Sequence, residues 1–176
     1  MSDLGECRAD RARLLLRRSR ALFLSAGFAF FSIASADPAS AKVRITGLSD
    51  VSFGTISNLT VDSVQSQSVC AYASGSNPTY SVRADGSGAG GAFTLSSGSA
   101  TLAYGVRWNN QAGQSNGTAL TAGASLGGQT TNAQNMTCSN GPPTTASLIV
   151  TLPATSLSSA TAGTYNGTLT IILAEE

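Results

Sequence analysis

The stretch YNGTLTIIL occupies residues 165–173 and is the most strongly β-forming segment of the sequence. Its large apolar side chains stand at odd-numbered positions and therefore share one face: Tyr165, Leu169, Ile171 and Leu173. Because successive side chains of a strand point to opposite faces, this alternation predicts a half-buried β-strand. Because this aliphatic strand is the last one in the sequence, we expect it at or next to the edge of a sheet. Such an edge, unless protected, can accept a strand from another chain.

The same two-residue period extends through the sequence from residue 42 onward. It is clearest in Thr101–Trp108 and Ala146–Leu152, and five shorter runs repeat it: Lys42–Thr46, Val51–Ile56, Gln67–Tyr72, Thr79–Ala84 and Ala92–Ser96. Clusters of Gly, Ser, Asn and Pro separate the runs and predict turns. We expect Ala112–Gln134 to form one long loop with a short strand near Thr118–Thr121. Eight or nine short strands without helices predict an all-β fold, an antiparallel β-sandwich.

The N-terminal region differs from the rest in composition. Six of the ten Lys and Arg residues lie within the first 20 positions, and an apolar run of 14 residues, Ala21–Ala34, follows them. Such a run is shorter than the roughly 20 residues that a transmembrane helix needs. An Ala-Ser-Ala site ends at Ala36. This order predicts a secretory signal peptide over residues 1–36 and one exported domain over residues 37–176.

The composition argues against several classes of function. Only 11% of the residues are charged and histidine is absent, which disfavours a histidine-based enzyme and a histidine-ligated metal site. The expected exported domain holds four basic and six acidic residues, a net charge of −2, so it lacks the basic surface that nucleic acids need. We therefore expect a non-enzymatic protein without a cofactor, a metal or a nucleic-acid partner.

Two cysteines remain after the predicted cleavage, Cys70 and Cys138. Two cysteines in an exported chain most simply form one disulfide. The pair lacks the CxxC spacing and the histidines of a zinc site, and no base is evident that would activate a catalytic thiol. Closing a loop of this length contributes about 4 kcal/mol in the chain-entropy model. We therefore expect a structural disulfide.

Two other patterns have a chemical and a structural interpretation. Gly86–Gly91 matches GxGxxG, but a strand follows where a dinucleotide site needs a helix, so a hairpin loop is expected. The acids Asp50, Asp62 and Asp85 could form a carboxylate pair of a hydrolase only if the fold brought two of them together. Aspartate beside Gly, Ser or a strand end more often belongs to a turn.

Trp108 and Tyr104 share one face of a predicted strand with aliphatic side chains. Alternating aromatic and aliphatic residues favour a place in the core. The alternative is an exposed surface for stacking against sugars, which would suit a self-contained secreted adhesion or carbohydrate-binding module. In that case Trp108 or loop residues of Ala112–Gln134 would make the contact.

Four segments in their order resemble the spore coat protein U domain family, which includes pilins of the archaic chaperone–usher pathway of Gram-negative bacteria. They are DVSFG (Asp50–Gly54), QSVCAYASGSNPTYSVRADG (Gln67–Gly86), FTLSSGSATLAYGVRW (Phe93–Trp108) and AGTYNGTLTIIL (Ala162–Leu173). The resemblance covers nearly all of the expected exported domain. It implies a structural pilus subunit that serves adhesion or biofilm formation at the cell surface.

The family also implies how the fold is completed. Its immunoglobulin-like, pilin-type sandwich lacks the last strand, which a periplasmic chaperone lends during export. An outer-membrane usher then exchanges that strand for the N-terminal extension of a neighbouring pilus subunit. Under this resemblance the strand-acceptor groove of the present chain is lined by four residues: Tyr165, Leu169, Ile171 and Leu173. Insertion of a strand would pair the open backbone and bury the apolar side chains.

The N-terminal part departs from the family pattern. Only Asp37–Ser49 precede the DVSFG segment, which leaves room for one strand, centred on Val43 and Ile45. That strand is either a short donor for a neighbour or the first strand of this fold. It also lacks the cysteine that many family pilins carry there. A subunit that accepts a strand without donating one would sit at a pilus tip, and a complete, self-sufficient sandwich is the remaining alternative.

Overall fold

The structure is a computed structural model that describes residues 42–176. The signal peptide expected over residues 1–36 and the first residues of the expected exported domain lie outside the described residues. Within the described part, no helix is long and apolar enough to cross a bilayer.

The described chain is almost entirely β-structure. Its strands are β1 Val43–Thr46, β2 Ser63–Ala73, β3 Thr79–Gly86, β4 Thr94–Ser97, β5 Ala100–Ala103, β6 Gly105–Asn109, β7 Thr118–Ala119, β8 Ser125–Thr130, β9 Ala146–Leu152 and β10 Leu169–Glu175. One turn of 3₁₀ helix spans Ala89–Gly91 and the short helix α1 spans Ala154–Leu157. The predicted all-β class is confirmed.

The strands form two main antiparallel sheets and one hairpin. The order is β1-β2-β9-β6-β7 in the first sheet and β10-β3-β8 in the second, while β4 pairs with β5. In immunoglobulin domains, strands A, B, E and D form one sheet and C, F and G the other. Taken in chain order as A to F, strands β1, β2, β3, β6, β9 and β10 reproduce both arrangements. Only the counterpart of G, beside β10, is missing from the described residues.

The core lies between the two sheets and is formed by the inward positions of the strands. Val69, Val82, Val106 and Trp108 are almost completely buried there. Strand β9 is buried on both faces because the segment after β6 covers its outer side. In that cover, Ser147 Oγ donates to the carbonyl of Gln111 at 2.8 Å.

The disulfide forms between Cys70 and Cys138, with Cα atoms 5.9 Å apart. Cys70 belongs to β2, and Cys138 belongs to the connection between β8 and β9. Thr145 ties the end of the same connection to β2, because its hydroxyl bonds both the N–H and the carbonyl of Ala71 at 2.9 Å. The disulfide and this hydroxyl therefore fasten a long connection to the first sheet.

Three of the strand predictions made from the sequence are wrong. No strand covers Val51–Ile56, because the Gln67 side chain bonds the backbone of Ser49 where a strand ladder would continue. Thr101–Trp108 is two strands, divided at Tyr104, whose N–H donates to Phe93. Strand β8 lies within the expected long loop.

Candidate functional site

The second sheet ends in an edge that no strand of residues 42–176 covers. Strand β10 is the outermost strand and pairs only with β3, in a continuous register from Leu169 opposite Gly86 to Glu175 opposite Tyr80. The last predicted strand therefore exists, shifted from residues 165–173 to Leu169–Glu175. The other side of β10, along all seven residues of the strand, has no hydrogen-bonded neighbour among the described residues.

The register identifies which backbone groups of β10 are unpaired. In β3, the carbonyl of Ala84 accepts from the N–H of Gly123, on the β8 side. Its partner in β10, Ile171, therefore belongs to a pair whose backbone groups point away from each other. The direction of the backbone groups alternates from one residue to the next along the strand. The free edge therefore receives the N–H and C=O groups of every second residue: Leu169, Ile171 and Leu173. Those of Thr170 and Ile172 bond to β3.

The neighbouring edge of the first sheet has the same property. Strand β1 pairs with β2, and the carbonyl of Lys42 accepts from the N–H of Ser74 at 2.9 Å. By the same alternation, the backbone groups of Arg44 bond to β2 and those of Val43 and Ile45 face outward. The sequence left open whether Val43 and Ile45 form a donated strand or the first strand of this fold. In the structure they lie in β1, paired with the chain's own β2.

The side chains at these open positions point inward and are incompletely covered. Each packs against the core and is only half-buried: Val43, Ile45, Leu169, Ile171 and Leu173. Strands β1 and β10 approach each other with Cα atoms within 8 Å, at the same side of the sandwich. We call the surface formed by these five residues the open groove. The intervening residue of β10, Ile172, faces solvent and is 46% exposed.

Tyr165 lies before β10. Its hydroxyl donates to the carbonyl of Thr161 at 3.0 Å, and its ring packs against the core. The next residue, Asn166, forms an isolated bridge with Ser96 of β4. Of the four groove residues expected from the sequence, Leu169, Ile171 and Leu173 lie on one strand, and Tyr165 lies in the irregular segment that leads to it.

The opposite side of the sandwich has protected edges. Strand β7 has two residues, and β8 is irregular because the register with β3 shifts between Tyr80 and Val82. Gly128 of β8 has a φ of +67°, and its N–H donates to the Glu176 carboxylate at 2.7 Å. Short strands and bulges are the usual protection against unwanted pairing. The described chain therefore presents one long regular open edge, with the apolar open groove beside it.

Trp108 is only 1% exposed and therefore offers no surface to a sugar. Its Nε1–H donates to the Tyr80 hydroxyl at 3.1 Å, and the rings meet edge to face with centroids 6.4 Å apart. Burial raises the pKa of Tyr80 to about 12, although the bond from Trp108 acts in the opposite direction. Burial also raises the pKa of Tyr104. The expected core position of both aromatic residues is confirmed.

The three scattered aspartates have separate surroundings. Asp85 forms a surface ion pair with Arg83, its Oδ2 lying 2.9 Å from Nε. Asp62 accepts from the N–H of Ala154 at 2.8 Å, at the start of α1. Asp50 lies in the strandless segment between β1 and β2. Within residues 42–176, no three His, Cys, Asp or Glu side chains form a group that could hold a metal ion.

No protein-family model matches the chain, and no curated protein matches it. Solved structures that match part of the chain include a chain of the chaperone–tip adhesin complex of CFA/I fimbriae, with 18% identity and a TM-score of 0.49. They also include a chain of the CsuC–CsuE chaperone–tip adhesion subunit pre-assembly complex from the archaic chaperone–usher Csu pili of Acinetobacter baumannii, with 21% identity and a TM-score of 0.44. Each match covers 76% of this chain, and 41% and 39% of the solved chains. The present chain thus spans about two fifths of their length.

Proposed function

We propose that this protein is a structural subunit of a surface pilus of the archaic chaperone–usher type, in the spore coat protein U domain family. In this proposal a β-strand from a partner chain inserts beside β10 and completes the sandwich. The first partner is a periplasmic chaperone, an outer-membrane usher directs the exchange, and a neighbouring pilus subunit is the final partner. The assembled fibre lies at the cell surface and serves adhesion or biofilm formation.

One coincidence in β10 carries the proposal. Leu169, Ile171 and Leu173 turn their backbone N–H and C=O groups to the free edge and their side chains into the half-buried groove. An added strand would therefore gain main-chain hydrogen bonds and bury alternate apolar side chains at the same three positions. Left uncovered, such an edge invites aggregation, whereas the opposite edges are short or bulged.

We assign Val43 and Ile45 to the acceptor side of this arrangement. Both residues pair with β2 of the same chain, and their outward backbone groups face the position that the inserted strand would take. A strand lying between β1 and β10 would then contact both edges of the sandwich. In this assignment the segment is a wall of the groove and does not donate a strand to a neighbour, which suits a subunit at a pilus tip.

A self-complemented chain tests the proposal. A short Asn-Gly turn and a seven-residue strand are appended after Glu176, with Val or Ile opposite Leu173, Ile171 and Leu169. The matched control carries the same residues shifted by one position, so that the apolar side chains face solvent. We expect the first extension to give a monodisperse monomer that unfolds at a clearly higher guanidinium concentration than the chain without an extension.

The control extension should leave both properties unchanged, because a one-residue shift removes the side chains from the open groove. The measurements are size-exclusion chromatography and unfolding followed by circular dichroism. The proposal fails if the chain without an extension is already a cooperative monomer and neither extension moves its unfolding midpoint.

A further inference from the structure

A second surface feature lies away from the open groove, on the outer face of the first sheet. It is a recess of about 210 Å³, lined by six residues: Asp62, Val64, Arg107, Ser115, Asn116 and Thr151. Strands β2, β9 and β6 supply Val64, Thr151 and Arg107, and the connection after β6 supplies Ser115 and Asn116. The recess therefore depends on the completed first sheet and not on strand insertion beside β10.

A glycine position lies beside the recess, in the row that contains Val64 and Thr151. Val64 lies opposite Thr151, and Thr151 lies opposite Gly105 in the next strand, so the three positions form one row across the sheet. Because Gly105 has no side chain, the row is open beside Arg107, which is the next outward residue of β6. A Cβ at Gly105 would meet only the Thr151 carbonyl, at 3.9 Å, so the fold itself does not require glycine there.

The wall beside the gap is rich in hydrogen-bond donors held in place. Arg107 Nη1 donates to Asn116 Oδ1, which also accepts from the N–H of Gly117 at 2.9 Å. Asn109 Nδ2 donates to the Asn116 carbonyl at 2.9 Å. Asn116 is thus fixed by its neighbours and orients the guanidinium. Within residues 42–176, no carboxylate lies within 4 Å of Arg107, in contrast to Arg83, whose Nε pairs with Asp85 at 2.9 Å.

The remaining groups define what would fit. The Asn116 amide nitrogen and the Ser115 hydroxyl make no hydrogen bond to the described residues, so together with the guanidinium they form a set of donors suited to an anion. Asp62 uses Oδ1 for the N–H of Ala154 and leaves Oδ2 to accept from a hydroxyl. Val64 is 43% exposed and offers an apolar surface. The volume is below the roughly 300 Å³ of typical ligand pockets, which limits the ligand to about one ring.

We propose that this recess binds one acidic sugar unit, such as a hexuronic or sialic acid. The sugar carboxylate lies against Arg107 and Asn116, a ring hydroxyl donates to Asp62, and a C–H face of the ring rests on Val64. Bidentate geometry between guanidinium and carboxylate supplies the selectivity for the acid over its neutral counterpart.

The test uses the exported chain as purified, with glucuronic acid and N-acetylneuraminic acid as probes and glucose as the neutral comparison. Saturation-transfer difference NMR is suitable because it works for monomers and assemblies. We expect binding of at least one acid with Kd in the millimolar range, and about tenfold weaker binding of glucose, because a hydrogen bond to a charged group is lost. Arg107→Gln should weaken binding of the acid by about tenfold or more.

Two further variants give the test its specificity. Gly105→Val places a side chain beside Thr151, at a position where a Cβ would meet only the Thr151 carbonyl, and should abolish binding while circular dichroism remains unchanged. Arg83→Gln makes the same change of charge on the other sheet and should leave binding intact. The inference is overturned if neither acid gives a signal in an experiment able to detect binding 20-fold weaker than expected. It is also overturned if the Arg107→Gln and Gly105→Val variants bind the acid as the unmodified chain does. Failure here would leave the strand-acceptor proposal unaffected, because that test measures stability and assembly.

Discussion

Two adjacent isoleucines in β10 provide the sharpest test of the open groove. Ile171 points into the groove and is mostly buried, whereas Ile172 points to solvent and is 46% exposed. Both variants to alanine remove the same atoms from neighbouring positions of one strand. If a partner strand covers the groove, the two changes should differ strongly once that strand is bound.

The expected magnitude follows from the burial of each side chain. Replacing a fully buried isoleucine by alanine costs about 2–5 kcal/mol. Ile171 is already mostly buried in the chain alone, so about 1–3 kcal/mol should be lost there, and up to about 1 kcal/mol more after strand insertion. The second part corresponds to up to about 5-fold weaker strand binding. Ile172→Ala should change stability by less than about 0.5 kcal/mol in either state, as is usual for exposed positions.

The assay compares guanidinium unfolding of the chain with and without the appended strand, for each variant. The quantity of interest is the extra stability that the strand confers, taken as the difference between the two free energies of unfolding. We expect Ile171→Ala to reduce that extra stability and Ile172→Ala to leave it unchanged. The reasoning is refuted if the two variants reduce it equally, or if Ile171→Ala destabilises both forms by the same amount.

Three further predictions concern the core and its cover. Replacing Cys70 and Cys138 by serine should lower the free energy of unfolding by about 4 kcal/mol, because the 68-residue separation no longer restricts the unfolded chain; unfolding with and without reductant measures it. The folded pKa of Tyr80, about 12, exceeds the ordinary value of 10.0, so its contribution is complete below pH 10 and should fall by about 2–3 kcal/mol as the pH rises to 12. Tyr80→Phe should remove that part of the alkaline loss in unfolding midpoints measured from pH 8 to pH 12. Thr145→Val leaves the buried N–H of Ala71 without its acceptor and should cost about 1–3 kcal/mol in thermal unfolding.

The two-residue period identified most of the strands, although it predicted Ala146–Leu152 as half-buried and the strand is buried on both faces. Ala146–Leu152 was predicted with the bounds that β9 has. Strand β8 was not predicted, because Ser125–Thr130 contains a single large apolar residue, Leu126, and so shows no apolar alternation. Val51–Ile56 carries the alternation of a strand but does not form one, since Gly47 and Gly54 adopt positive φ and the chain turns away from a regular ladder. Local alternation does not report whether a partner strand is within reach.

The candidate site was predictable in part. Alternation placed Leu169, Ile171 and Leu173 on one face, and that face does pack against the core. The outward direction of their backbone groups could not be predicted, because it depends on which residues of β3 lie opposite. Tyr165 fits the alternation of the strand in sequence but lies before β10 in an irregular segment, since Asn166 pairs with Ser96 instead of continuing the β10 ladder. The recess beside Arg107 gave no sequence signal, because Val64, Gly105 and Thr151 meet only through strand pairing.

The contrast between the two sides of the sandwich argues that the open edge is a specific feature of this fold. Natural sheets protect edges with charge, proline, bulges or short strands. Strand β10 has none of these between Leu169 and Leu173, whereas β7 is short and β8 is irregular. The same sequence therefore carries protection where it is needed and omits it along one face. Under the strand-acceptor proposal, a partner strand covers the groove before the chain accumulates, because an uncovered apolar edge would pair with other copies. A chaperone that lends this strand is the partner proposed above.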